Sequence, residues 1–146
     1  MPYDVDGWIE VARYAPEELA DGLTCWFGAV SLAPFGLSGD DVANRLFGLA
    51  KRPESDALFA NAGIPSDASG LVTRDVEDNR QAHPKHGEGD DWHTHATWAE
   101  IREINLAKHG CVLAESEWRH VFRFAELLVE VGYRPELVRF VVWGNW

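Results

Sequence analysis

The stretch Glu115–Trp143, ESEWRHVFRFAELLVEVGYRPELVRFVVW, decides the fold class. In its first part Trp118, Val121, Phe122, Ala125, Leu128 and Val129 follow the i, i+3, i+4, i+7 pattern of an amphipathic helix. That spacing predicts a helix over 115–131, ended by Gly132. In its last part, 137–143, Val138, Phe140, Val141 and Val142 make a dense apolar run that reads as a buried strand. A helical period that gives way to a strand within a few residues points to an α+β chain.

Working outward, Thr97-Trp98-Ala99-Glu100 has capping-box spacing, in which a hydroxyl and a carboxylate satisfy each other's backbone donors. A helix with Trp98, Ile101 and Ile104 inward is expected to follow and to close near Gly110. Residues 38–52 read as another helix. Ser38 is placed to cap it, Asp40 and Asp41 suit its positive end, and Pro53 blocks its continuation. Its apolar stripe is Val42, Ala43, Leu46, Leu49 and Ala50. Residues 3–14 alternate as a strand, with Val5, Ile9 and Val11 on one face and Asp4, Asp6, Trp8 and Glu10 on the other. A second strand is expected over 23–32 after an Asp21-Gly22 turn, antiparallel to the first. The stretch 65–91 is polar and irregular, and a short strand or helix near 71–76 stays open. The expected fold is a single α+β domain over 1–146. A small, mostly antiparallel sheet of two N-terminal strands and the C-terminal strand is packed on one face by about three helices.

The composition, 46% hydrophobic and 12% aromatic, suits a packed globule. A net charge of −11 argues against a nucleic-acid surface, which needs clustered Lys and Arg, and equally against an anionic membrane. It permits a basic protein partner or a small ligand, and it also serves plain solubility. Seven tryptophans suit core and core-edge positions, and Trp92, among acidic residues, is the one most suited to exposure. Cys25 lies in an apolar run and reads as a buried thiol; with Cys111 it forms no metal knuckle or disulfide framework. There is no signal-like N-terminus and no run near the ~20 apolar residues that cross a bilayer, so the expectation is a cytoplasmic protein.

Chemistry concentrates in one segment. His83, His86, His93 and His95 share it with Asp75, Glu77, Asp78, Glu88, Asp90 and Asp91. Imidazoles and carboxylates together suit a divalent metal, zinc or manganese. His93 and His95 would aim the same way on an extended backbone, and Asp4 and Asp6 are the acidic residues that would join them. A solvated histidine-bearing loop is the competing reading of the same residues. The near-fit of Gly87, His93, His95 and Glu100 to a cupin metal motif is set aside, because Glu100 belongs to a helix cap. No Gly-x-Ser-x-Gly elbow and no phosphate-cradling loop is present.

Several segments together resemble a family of small uncharacterised proteins from phages and bacteria, many of them actinobacterial. They are Asp4-Val5-Asp6-Gly7-Trp8-Ile9-Glu10, the helix 46–52, the turn Gly63-Ile64-Pro65-Ser66-Asp67-Ala68-Ser69, the segment 93–100 and the closing strand 138–143. The chain departs from the family in having Asp6 where the family has histidine, and His95 where it has an aromatic residue. The resemblance implies the order of elements and a phage or bacterial-defence setting, with no activity attached. Trp8, Trp92 and Asp67 stand as the binding candidates, and His93, His95, Asp4 and Asp6 as the metal candidates. The leading expectation is a small acidic protein that binds and blocks another protein or sequesters a ligand. A metal-dependent hydrolase centred on His93 and an aromatic-lined small-molecule fold are the alternatives.

Overall fold

The computed structural model describes residues 4–23, 25–50, 56–82 and 93–145. Four strands, β1 (Asp4–Val11), β2 (Phe27–Ser31), β3 (His93–Thr97) and β4 (Val138–Asn145), form one antiparallel sheet in the order β2-β1-β4-β3. Among the described residues four α-helices accompany it: α1 (Asp41–Phe47), α2 (Gly70–Ala82), α3 (Trp98–Arg102) and α4 (Trp118–Glu130). The α+β class holds, with four strands where the sequence reading counted three. The added strand is β3, which runs straight into the Thr97 cap of α3.

Pairing explains why β4 reads as continuously apolar. It lies between β1 and β3, so both of its edges are hydrogen-bonded and both of its faces are covered. On one face Ile9, Phe140, Val142 and Ala96 pack with Leu46 and Phe47 of α1, Trp98 of α3, and Trp118 and Phe122 of α4. On the opposite face Val141 and Trp143 pack with Val72 and Val76 of α2, with Trp8 against them. The expectation that all helices lie on one face is therefore corrected. The stretch taken as irregular contains α2, and that helix covers the second face. Val72 and Val76 are one turn apart, and burying them contributes roughly 1.5–3 kcal/mol each. The Ser69 hydroxyl accepts from the Val72 amide (3.3 Å) at the start of α2.

Gly7 sits in β1 with φ +148°, where a Cβ would lie 2.2 Å from the Val141 carbonyl oxygen. Only glycine lets β1 and β4 approach this closely. Other expectations shift by a few residues. Asp40 rather than Ser38 caps α1, accepting from the Val42 and Ala43 amides at 3.0 Å each. Cys25 lies outside β2 and is exposed, because the apolar run around it does not enter the sheet; Cys111 is buried. The capping box of α3 forms as expected, but α3 ends at Arg102, and Gly110 closes a separate 3-10 turn, Leu106–His109. No helix among the described residues is long and apolar enough to cross a membrane.

Candidate functional site

The sheet face beneath α2 carries most of the residues singled out in the sequence. Strand register sets them in three cross-strand rows: Asp6–Trp143–His93, Trp8–Val141–His95 and Glu10–Arg139–Thr97. Directly paired residues share a face, so the acidic side of β1 and the histidines of β3 point to the same side of the sheet. They do not converge. Strand β4 stands between them, which separates Asp6 from His93 by two strand spacings, about 10 Å. The Trp143 ring fills that interval, 6.2 Å from the His93 ring. His93 is buried (2% exposed). His95 Nδ1 is hydrogen-bonded to the Gly63 carbonyl (2.9 Å), which ties the β3 edge to the turn before α2.

Asp4 is exposed at the start of β1. The Asp6 carboxylate accepts from the Gly7 amide (2.8 Å). Burial pushes the Asp6 carboxyl above its ordinary value, the Gly7 hydrogen bond partly offsets this, and the negative charges of Asp75 and Asp4 raise it further. Among the described residues no group of three or more His, Cys, Asp or Glu is arranged to hold a metal ion. His83, His86 and Trp92 lie outside the described residues.

The third row is a buried polar network in which Arg139 Nη2 has no hydrogen-bond partner among the described residues. Arg139 Nε donates to Glu10 Oε1 (2.7 Å) and Nη1 donates to Asp67 Oδ1 (2.8 Å). The guanidinium lies 3.8 Å from the Trp26 ring centroid. Trp26 Nε1 donates to the other Asp67 oxygen (3.0 Å), and the Ser69 amide donates to Glu10 Oε2 (2.6 Å). Glu10 is fully buried, Arg139 nearly so, and Asp67 is half exposed. Asp67 is thus used to anchor the turn before α2. Trp8 is likewise engaged, its Nε1 donating to Asp75 Oδ2 of α2 (2.6 Å). These groups neutralise and orient one another, and their chemistry is that of a lock holding α2 to the sheet. Sequence reasoning missed Arg139, although one arginine inside a buried strand is itself a signal of a paired charge.

A different surface is open. The outer side of α4, with Leu113, Ala114 and Trp98, walls a groove of about 800 Å3. Phe124 and Leu127 border it and are 42% and 49% exposed, apolar area left in water. Trp98 Nε1 donates to Glu126 Oε1 (2.7 Å), and Arg102 pairs with the same oxygen (3.3 Å), fixing one rim. The sequence reading used only the inner stripe of α4. The outer apolar residues interleave with charges and raised no signal by periodicity. Comparison of the chain with protein-family models, with curated proteins and with solved structures found no match.

Proposed function

We propose that this chain is a small acidic protein-binding module whose recognition surface is the outer face of α4. The observation that carries the reading is the apolar groove bordered by Phe124 and Leu127, on a chain of net charge −11. The ionisable groups of the opposite site are committed to one another, whereas the α4 surface leaves apolar area in water. Covering such area is the usual source of affinity between proteins. The overall negative charge speeds encounter with basic surfaces and keeps the protein soluble while its apolar face is uncovered. Occupying another protein's surface suits the phage or bacterial-defence setting implied by the sequence resemblance.

The test compares wild type with Leu127→Asp, a substitution at a half-exposed position that leaves the core intact. Sedimentation velocity reports self-association, and immobilised protein reports capture of other proteins. The expected result is that association of one kind or the other is present in wild type and lost in Leu127→Asp, with unchanged thermal midpoint. Association that is indifferent to Leu127 would remove the α4 surface from the reading. Wild type that associates with nothing would remove the function.

A further inference from the structure

The charges on α4 run against its own dipole. Arg119 is in the first turn and Arg123 one turn later, while Glu126 and Glu130 occupy the C-terminal half; the last turn carries no basic residue. A helix is favoured by acidic residues near its N-terminus and basic ones near its C-terminus, and this one has the reverse within its span. The spacing adds to the cost. Arg119 and Arg123 are four apart, as are Glu126 and Glu130, so like charges sit one above the other. Offsets of 4, 7 and 11 from Arg119 place all four on one stripe beside Leu127. All five border the groove.

This stripe is complementary to itself when reversed. A second α4 laid antiparallel about a two-fold axis near position 124.5 sets Arg119 opposite Glu130 and Arg123 opposite Glu126, because each pair of numbers sums to 249. Symmetry doubles each pair, and the two helix dipoles oppose. In this register the two Leu127 side chains lie on the same flank of the interface, about 7.5 Å apart along the axis, while Phe124, roughly 130° around the helix from the charged stripe, stays outside it against Phe35. We infer that a second copy of this chain occupies the α4 surface, docked antiparallel along Arg119, Arg123, Glu126 and Glu130. This inference rests on the protein-binding reading and names its partner. The 13 residues of α4 span about 20 Å, so the interface falls below the standard ~800 Å2 per partner. An interface of that size is at the weak, transient end of the range, and the proposal is for a weak dimer.

Arg119→Glu and Glu130→Arg test the register. Each alone sets like charges face to face twice, and each is expected to weaken self-association at least tenfold in sedimentation equilibrium across roughly 1–500 µM protein. Mixed together, the two variants restore both attractive pairs, and the heterodimer is expected to recover the wild-type dissociation constant within about threefold. Both substitutions agree with the α4 dipole; Arg119→Glu gives up the bond from Arg119 Nη1 to the Ala114 carbonyl, so Glu130→Arg, which should not lower the thermal midpoint, separates loss of pairing from loss of folding. Two weakened variants that do not associate on mixing would overturn the antiparallel register. A wild type that stays monomeric, while Leu127→Asp still abolishes capture of another protein, would overturn the dimer and leave the protein-binding reading standing. Absence of any Leu127-dependent association would end both.

Discussion

Replacing Arg139 with methionine should be among the most damaging single changes in this protein. The guanidinium Nε is 2.7 Å from Glu10 Oε1, and Glu10 has no exposure of its own. Methionine keeps most of the side-chain volume and leaves the Glu10 charge buried with one remaining donor, the Ser69 amide. Removing one partner of a buried ion pair typically costs about 3–5 kcal/mol. The Trp26 contact adds roughly 0.5–1 kcal/mol, and the half-exposed Asp67 pair adds at most about 1 kcal/mol. A domain of this size has only about 5–15 kcal/mol in total. Together these losses come to about 3.5–7 kcal/mol, and the thermal midpoint is therefore expected to fall by roughly 7–28 °C. Urea unfolding followed by tryptophan fluorescence measures the free energy directly. The decisive comparison is Glu10→Gln/Arg139→Met. Glutamine still accepts from Ser69 and carries no charge, so the double variant should regain most of the loss and lie within about 2 kcal/mol of wild type. A double variant no more stable than Arg139→Met would refute the argument that an uncompensated charge is the cause.

Three further outcomes follow from single positions. Asp6 has a folded-state carboxyl raised above its ordinary value of 3.8, so its ionisation opposes folding at neutral pH. Asp6→Asn, which can still accept from the Gly7 amide, should be more stable than wild type at pH 7. That advantage should shrink as pH falls and vanish once wild-type Asp6 is protonated in both states; guanidinium melts at a series of pH values would show a constant difference if the reasoning is wrong. Gly7→Ala brings a Cβ to 2.2 Å from the Val141 carbonyl at a positive φ, and should cost roughly 2–4 kcal/mol in denaturant unfolding. Thr97→Ala removes the hydroxyl that caps α3 and should cost about 1 kcal/mol, with Thr97→Ser recovering most of it.

What was legible in the sequence is what depends on neighbours along the chain. The inner stripe of α4, the Thr97–Glu100 cap, the two faces of β1 and the buried character of β4 all rest on local period or local hydrogen bonding, and all are present in the fold. A strand or helix near 71–76 stays open in the sequence because α2 buries only Val72 and Val76 and is otherwise polar, so its local pattern is weak and tertiary contact selects the helix. Cys25 was misplaced because an apolar run does not reveal where pairing begins. Of the site, strand β3 was not read from the sequence, which supports only the condition that an extended backbone at 93–95 would put His93 and His95 on one face; β3 meets that condition. That Trp143 would stand between Asp6 and His93 was not legible. It depends on strand order and register across residues more than a hundred positions apart, which no local spacing carries.

The two faces of the sheet differ in how their side chains are used, and the proposal that α4 is the recognition surface rests on that difference. α2 has too little apolar surface to stay on the sheet by burial alone, and the Glu10–Arg139–Asp67 network and the Trp8–Asp75 bond supply the remaining attachment. Groups used in this way are desolvated and oriented toward one another, so engaging a ligand would first require breaking them. α4 has the opposite balance. Its inner face, with Trp118, Val121, Phe122 and Ala125 buried, holds it to the core. The outer residues add lesser contacts, Glu126 with Trp98 and Arg102, Arg119 with the Ala114 carbonyl and Phe124 with Phe35, and the order of charges along them is unfavourable for the helix alone. A charge order that the helix dipole opposes is what the proposed antiparallel pairing of two α4 helices would relieve.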